Sequence, residues 1–186
     1  MVSLMSLWLP ILLAAVFVFV VSSIIHMLLG YHNNDFQKLP DEGKVRAALG
    51  PLGIPPGDYV LPHAPTQKER QTPEFTEKVT KGPVAFMTVF PNGMPSMGPQ
   101  LAMWFVYCLI VGVFAAYVAG RALEPGADYL SVFRFAGATA FAGYGLALLQ
   151  NSIWYRRSWS ATLKSVFDAL VYAMVTAGTL GWLWPS

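Results

Sequence analysis

Four long apolar runs and one long polar stretch make up the pattern of this chain. The first run, Leu7 to Leu29, has 23 residues and contains no Lys, Arg, Asp or Glu. As a helix it would extend about 34 Å, which is enough to cross the hydrocarbon core of a bilayer. A secretory signal would need a positive n-region and a small-residue cleavage site, and neither is evident. Residues 1–30 are therefore predicted to form a transmembrane helix of the mature protein.

The other three apolar runs lie in residues 99–186. The second, Leu101 to Gly120, has 20 residues without a charge and is followed by the turn sequence Glu124-Pro125-Gly126. The third and fourth are predicted at about 129–150 and 161–184. Because short connections follow the second and third runs, these helices should pack as antiparallel neighbours. The pattern predicts an all-α integral membrane protein with a four-helix transmembrane bundle.

Small residues recur at every fourth position in three of the four predicted spans. Such ridges let helix backbones approach closely, which is a main source of helix association in lipid. They indicate a packed bundle, but they do not separate contacts within one chain from contacts between subunits. The predicted packing residues are Gly112, Ala116, Gly120, Thr139, Gly143, Ala147, Ala169, Ala173, Ala177 and Gly181.

Residues 31–98 form the polar segment and hold seven basic and seven acidic side chains. Pro40, Asp41 and Glu42 mark the start of a short helix that includes Lys44–Leu49, and a second one is predicted at Pro73–Thr80. The apolar run Val84–Phe90 has the composition of a strand, but one strand alone is not stable. We therefore expect it to lie along the membrane surface or against the bundle.

Composition agrees with a bilayer as the solvent of the rest of the chain. Charged residues make up 12% of the sequence, against roughly 25% in soluble domains. The net charge of +2 is too small to indicate a nucleic-acid partner. The single cysteine, Cys108, excludes a disulfide framework and a cysteine metal site within the chain.

The distribution of positive charge predicts an orientation. Arg156, Arg157 and Lys164 surround the connection between the third and fourth spans, whereas the connection after the second span offers only Arg121. By the positive-inside rule, residues 31–98 are expected on the cytoplasmic side and both termini outside.

Two ionisable residues lie inside predicted spans and are candidates for function. His26 is near the end of the first span, and Asp168 is near the start of the fourth, at the same membrane face. Together with His32 and Asp35 they could bind a divalent metal or relay protons, since imidazole and carboxylate groups suit both roles. A polar cluster of Gln150, Asn151 and Lys164 is predicted at the same level.

A structural explanation of these residues is favoured over the functional one. Lys164 precedes Asp168 by four residues, so an ion pair within one helix would account for Asp168. His26 and His32 are six residues apart, which on one continuous helix would turn them roughly 120° away from each other. The chain has no HxxxH or HExxH pattern, no nucleotide-binding motif and no covalent haem motif. Of the cofactor classes considered, a divalent metal is the one that the sequence still allows.

The run from His26 to His63, HMLLGYHNNDFQKLPDEGKVRAALGPLGIPPGDYVLPH, and the ending FDALVYAMVTAGTLGWLWP resemble small bacterial four-helix membrane proteins of unknown function. The resemblance covers most of the chain. It implies a bacterial inner-membrane setting, and it implies no activity, cofactor or functional residue.

Three functions are compatible with these observations. The first is a non-catalytic accessory or structural subunit of a bacterial membrane assembly, or a homo-oligomer, and the absence of catalytic motifs favours it. The second is a small membrane enzyme or metal-binding protein with a His/Asp site at the cytoplasmic-side membrane face. The third is an oligomeric transporter or channel. The expected partners are the lipid bilayer and other membrane subunits or further copies of the chain.

Overall fold

The computed structural model describes residues 1–186 and divides them into two compact units. The helical unit comprises Met1–Gln37 and Ser96–Ser186, and the smaller unit comprises Lys38–Pro95. In chain order the elements are α1 (Trp8–Met27), α2 (Glu42–Leu49), β1 (Gly57–Leu61), α3 (Gln67–Arg70), α4 (Pro73–Lys81), β2 (Ala85–Val89), α5 (Gly98–Ala122), α6 (Tyr129–Tyr144), α7 (Leu149–Tyr155) and α8 (Trp159–Trp182).

The helical unit confirms the four predicted spans. With their flanking turns, four helical segments are long and apolar enough to cross a membrane, which indicates a multi-pass membrane protein. α1 packs on α5, α5 on α6, α6 on α8, and α8 returns to α1, so the helices form a closed ring. The spans are Leu4–Met27, Gly98–Ala122, Tyr129–Tyr155 and Trp159–Trp182.

Small side chains fill much of the space between these helices, whereas many large apolar ones face outward. Ala115, Ala136 and Ala177 are fully buried, and Phe114 and Met174 are exposed. In water such exposed side chains would be unfavourable, but lipid tails solvate them as well as a protein core does. The arrangement therefore fits a bundle that is surrounded by hydrocarbon.

Most of the predicted packing residues of α5 and α8 lie at helix contacts. A Cβ on Gly112 would lie 3.4 Å from Ile11 Cγ2, and one on Gly120 would lie 2.9 Å from the Val2 carbonyl oxygen. The corresponding residues of α8 are buried or half-buried, and Ala116 of α5 is fully buried. The residues concerned on α8 are Ala169, Ala173, Ala177 and Gly181.

The third span buries a different stripe from the predicted one. Gly143 does contact Val111, but Thr139 is only half-buried and Ala147 is exposed. Its buried residues are Val132, Ala136, Ala140 and Tyr144. This stripe is offset by one position from Thr139 and Gly143, which corresponds to a rotation of about 100° about the helix axis.

The third span is also interrupted, although the sequence predicted one continuous helix from 129 to 150. α6 ends at Tyr144, a 3-10 turn covers Leu146–Leu148, and α7 then continues. A Cβ on Gly145 would lie 3.0 Å from the Ala169 Cβ. Glycine at this position therefore allows α8 to approach the break closely.

The smaller unit contains the two predicted short helices. It also contains a pair of strands that was not predicted. α2 and α4 confirm the two predicted short helices, and the Asp41 and Thr72 side chains cap them. β1 and β2 pair antiparallel, from Gly57 opposite Val89 to Leu61 opposite Ala85. The chain thus supplies a partner strand that the sequence analysis did not foresee, and the fold is mostly helical rather than all-α. The expected place of Val84–Phe90 along the membrane surface or against the bundle stays a prediction.

Candidate functional site

The end of α1 brings the two predicted histidines together. The helix ends at Met27, and Gly30 adopts a φ of +62°, which lets the chain turn before Tyr31. As a result, the ring centroids of His26 and His32 are 4.6 Å apart. The separation that a six-residue spacing would give on one helix does not occur, because the helix does not continue through His32.

His32 lies between two carboxylates. Its Nε2 is 2.8 Å from Asp168 Oδ2, and its Nδ1 is 2.7 Å from Asp35 Oδ2. The Tyr31 hydroxyl donates a hydrogen bond to Asp168 Oδ1. Asp168, on the first turns of α8, is only 3% exposed. Both carboxylate oxygens of Asp168 therefore have partners from the turn that follows α1.

Cationic side chains hold Asp35 from the other side. Lys164 Nζ donates to Asp35 Oδ1 at 2.9 Å and to the Tyr31 carbonyl oxygen at 2.7 Å. An Arg157 guanidinium nitrogen lies 3.9 Å from Asp35 Oδ2. The ion pair expected between Lys164 and Asp168 is therefore replaced by one between Lys164 and Asp35. Asp168 takes its partners from Tyr31 and His32 instead.

The electrostatics of the turn follow from these contacts. Burial alone would raise the pKa of Asp35, but the hydrogen bonds from His32 and Lys164 outweigh it and lower the pKa below its ordinary value. Burial and the hydrogen bond to Asp168 raise the pKa of the Tyr31 phenol. At neutral pH, Asp35 is thus an anion and Tyr31 is a neutral hydrogen-bond donor.

Three of the four predicted metal ligands converge. His26, His32 and Asp168 each offer one ligand atom, and these atoms all lie within 4.8 Å of one another. Asp35 lies behind the ring of His32, at the nitrogen opposite Asp168. A carboxylate in that place commonly orients a metal-binding histidine and raises its basicity. The arrangement therefore separates three candidate ligands from one candidate positioning residue.

Of the predicted polar cluster of Gln150, Asn151 and Lys164, only some residues belong to this site. Lys164 belongs to it through Asp35. Asn151 contributes its backbone carbonyl, which accepts a hydrogen bond from the Arg157 N–H at 3.1 Å. Gln150 is exposed and makes no hydrogen bond to the cluster. The cluster of ionised groups therefore centres on the turn after α1 rather than on the end of the third span.

A cavity of about 780 Å³ adjoins the site inside the helical unit. His26 and Asp168 form part of its lining. Four aromatic rings on three helices also line it, and neighbouring rings in this group are 5.6–6.2 Å apart. Sequence reasoning missed these residues, because aromatic residues within spans are ordinary packing residues and nothing in the pattern distinguishes them. The four rings are those of Trp104, Tyr107, Tyr144 and Tyr172.

Comparison with protein-family models, with curated proteins and with solved structures finds no match for this chain.

Proposed function

We propose that this membrane protein binds a divalent transition metal of the zinc class through His26, His32 and Asp168. It would act as a small membrane enzyme or metal-binding protein. The observation that supports the proposal is the convergence of these three side chains from α1, the following turn and α8. Imidazole and carboxylate groups are the ligands that zinc and its neighbours accept most readily from proteins.

The three ligand atoms lie within 4.8 Å of one another, and they would have to move to the spacing of a tetrahedral site to hold such an ion. Bond lengths of about 2.0–2.1 Å in a tetrahedral site separate ligand atoms by about 3.3 Å. His32 Nε2 and Asp168 Oδ2 are 2.8 Å apart, so they would separate slightly. Because Asp35 accepts from His32 Nδ1, it would keep Nε2 directed at the ion.

Three protein ligands leave one coordination position for water or substrate, as is typical of catalytic zinc sites. His26 and Asp168 both line the cavity, so that position would be accessible from it. An ion there would polarise a carbonyl group or lower the pKa of a bound water. The orientation predicted from Arg156 and Arg157 would put the site at the cytoplasmic face of a bacterial inner membrane.

Metal analysis with matched histidine variants tests the proposal. We expect about one zinc per chain in the purified protein and in His63→Ala, because His63 is an exposed residue of the smaller unit. We expect His26→Ala to lose the ion. Asp35→Asn should bind it about 10–100-fold more weakly, which is the usual effect of replacing a residue that hydrogen-bonds to a metal ligand. Affinity is measured by competition with a coloured chelator.

Two results would contradict the proposal. One is the absence of stoichiometric metal after zinc loading, and the other is equal affinity in His26→Ala and His63→Ala. His32 would then be understood as a hydrogen-bonding link between the two carboxylates without an ion.

The accessory-subunit, homo-oligomer and transporter hypotheses stay predictions beside this one. Co-purification from native membranes, together with the mass of the solubilised protein, tests them. A protein that runs alone as a monomer would contradict a subunit role, whatever its metal content.

A further inference from the structure

We infer that the cavity beside the site binds one acyl chain of a membrane lipid, with the carbonyl group at the head of the chain next to His26 and Asp168. The chain site does not need a metal. The role of the lipid as substrate rests on the proposed function, because it places the carbonyl group at the metal. The cavity volume of about 780 Å³ lies within the range of about 300–1,000 Å³ that is typical of small-molecule sites.

A groove on α1 extends the cavity into a longer channel. It has a volume of about 300 Å³, and Ser23 and Met27 line both the groove and the cavity. The other residues that line the groove are all apolar, namely Phe19, Val20, Ile24 and Leu28. Because Phe19, Ser23 and Met27 are four residues apart, they lie on one face of the helix and the groove follows its axis. A flexible hydrocarbon chain can occupy both spaces, whereas a compact head group would occupy only one of them.

The hydroxyl groups of the cavity wall are not available to a polar ligand. Ser23, Ser165 and Tyr107 each donate to a backbone carbonyl oxygen, at distances of 2.6–3.0 Å. The hydroxyl oxygen of Tyr144 is itself buried in the wall. A water molecule in a cavity needs about two to four polar partners, and a polar head group would also need such partners. This part of the wall therefore suits hydrocarbon better than either of them.

The mouth of the cavity lies among exposed apolar side chains. Met27 and Leu101 both line the cavity and are 81% and 42% exposed. They belong to the end of α1 and the start of α5, two helices that pack on each other. An acyl chain of the surrounding bilayer can enter between these helices without crossing water. Empty space would leave the lining without dispersion contacts, so entry is favourable even though the chain leaves an equally apolar medium.

The ionisable groups of the lining lie at the level that lipid carbonyl groups occupy. His26 is one residue from the end of α1, and Asp168 is on the first turns of α8. Both are thus near the membrane face, where the hydrocarbon core gives way to the head groups. Phe19 lies about 10 Å further into the span than His26. A lipid whose chain follows the groove inward would therefore keep its carbonyl group beside the proposed metal ligands.

This placement identifies acyl esters or amides of membrane lipids as the substrate class of the proposed metal site. A metal ion polarises a carbonyl group that coordinates it. The Tyr172 hydroxyl, 3.4 Å from His26 Nε2, lies on the same part of the lining. It can donate a hydrogen bond to a second oxygen of the lipid head.

Binding of a spin-labelled fatty acid tests the inference. The probe is stearic acid with a nitroxide near its methyl end, and electron paramagnetic resonance of the delipidated, purified protein separates immobilised chains from mobile ones in the micelle. We expect an immobilised component that saturates at about one probe per chain, also after treatment with a chelator. Zinc should tighten binding about tenfold, because the carboxylate of the probe takes the place of the lipid carbonyl at the ion.

Matched variants of α1 locate the chain. Ser23→Phe places a ring where the cavity and the groove join, and it should weaken binding about tenfold because the ring takes the space of the chain. Val16→Phe is the control, because Val16 is a 37% exposed residue of the same helix outside both linings. If Ser23→Phe proves poorly folded, Leu101→Trp narrows the mouth instead, with Met103→Trp as its exposed control on α5.

An immobilised component that never saturates would overturn the inference, and so would equal binding by each blocking variant and its control. Probe binding that zinc does not change, in a protein that holds stoichiometric zinc, would overturn the assignment of the substrate class. A protein that binds zinc but immobilises no probe would leave the proposed function standing. A protein that binds the probe but no zinc would contradict the proposed function and leave the chain site standing.

Discussion

The two ends of the four long helices are built from different interactions. At one end, Asp35, His32 and Asp168 lie beside Lys164 in a buried ionic cluster, next to a cavity and a broken helix. The opposite end has no buried ionic cluster: its one ion pair, between the N-terminal ammonium group and Glu124, is exposed, and backbone hydrogen bonds join its connecting segments. There, the Val2 N–H donates to the Gly120 carbonyl and the Gly126 N–H donates to the Pro185 carbonyl, both at 2.8 Å.

This difference separates the residues of the proposed metal site from residues that bring the helices into close contact. Close approach of helices at glycine positions is the usual source of stability in lipid. Burial of charged groups is not, because the desolvation of the ions offsets much of their attraction. A cluster of ionised groups beside a cavity at one end therefore agrees with the metal site proposed above. The ends can be compared directly by mutation.

The largest effect on stability is expected from Asp35→Ala. Asp35 is 6% exposed in its side chain and its partner Lys164 is 27% exposed. Removal of the carboxylate leaves Lys164 without its anion and His32 Nδ1 without its partner in a largely buried place. We expect a loss of about 3 kcal/mol, the lower end of the range for a broken buried ion pair. The thermal unfolding midpoint of the detergent-solubilised protein measures it.

The double variant Asp35→Ala/Lys164→Met distinguishes a charge effect from lost packing. Without the ammonium group, the penalty for an unpaired cation disappears. The double variant should therefore be more stable than the sum of the single changes predicts, by about 1–2 kcal/mol. Additive losses would mean that the pair contributes no coupling, and that the two ends differ less than proposed here.

A smaller loss is expected from Gly181→Ala at the opposite end. A Cβ on Gly181 would lie 2.8 Å from the Tyr129 ring, whereas one on Gly178 would lie 3.5 Å from the Tyr129 hydroxyl. The first contact forces the ring to move, which should cost about 1–2 kcal/mol after the gain in helix propensity. Gly178→Ala, one turn earlier, should be neutral or slightly stabilising. Unfolding midpoints that do not differ between the two variants would contradict this account, and zinc affinity should stay unchanged in both.

Sequence reasoning found the spans because their signal is local. Twenty or more apolar residues without a charge predict a membrane helix whatever the rest of the chain does. It also identified His26, His32 and Asp168 as candidates, but it could not bring them together. Their convergence depends on the turn at Gly30, and a spacing rule for one continuous helix gave the wrong geometry for the two histidines.

The features that were missed depend on tertiary partners. Val84–Phe90 has the composition of a strand, yet its stability depends on residues 57–61, and α3 and α4 lie between the two along the chain. Tyr144 is notable only because it is buried at the point where the helix breaks. Gly145 alone does not predict the break in the helix, since single glycines occur within many membrane helices.

The smallest effect is expected from acid at the end opposite the ionic cluster. Asp128 caps α6, and the Ser131 hydroxyl and amide lower its pKa from the ordinary value by donating to its carboxylate. A carboxyl group with a depressed folded pKa contributes stability that is complete above about pH 4 and is lost as the pH falls through the folded value. We therefore expect the Ser131 amide resonance to titrate with a midpoint below about 3.9. Asp128→Asn, which keeps the cap without the charge, should remove that titration and leave the helix start in place. A midpoint at or above 4 would show that the cap is not formed in solution.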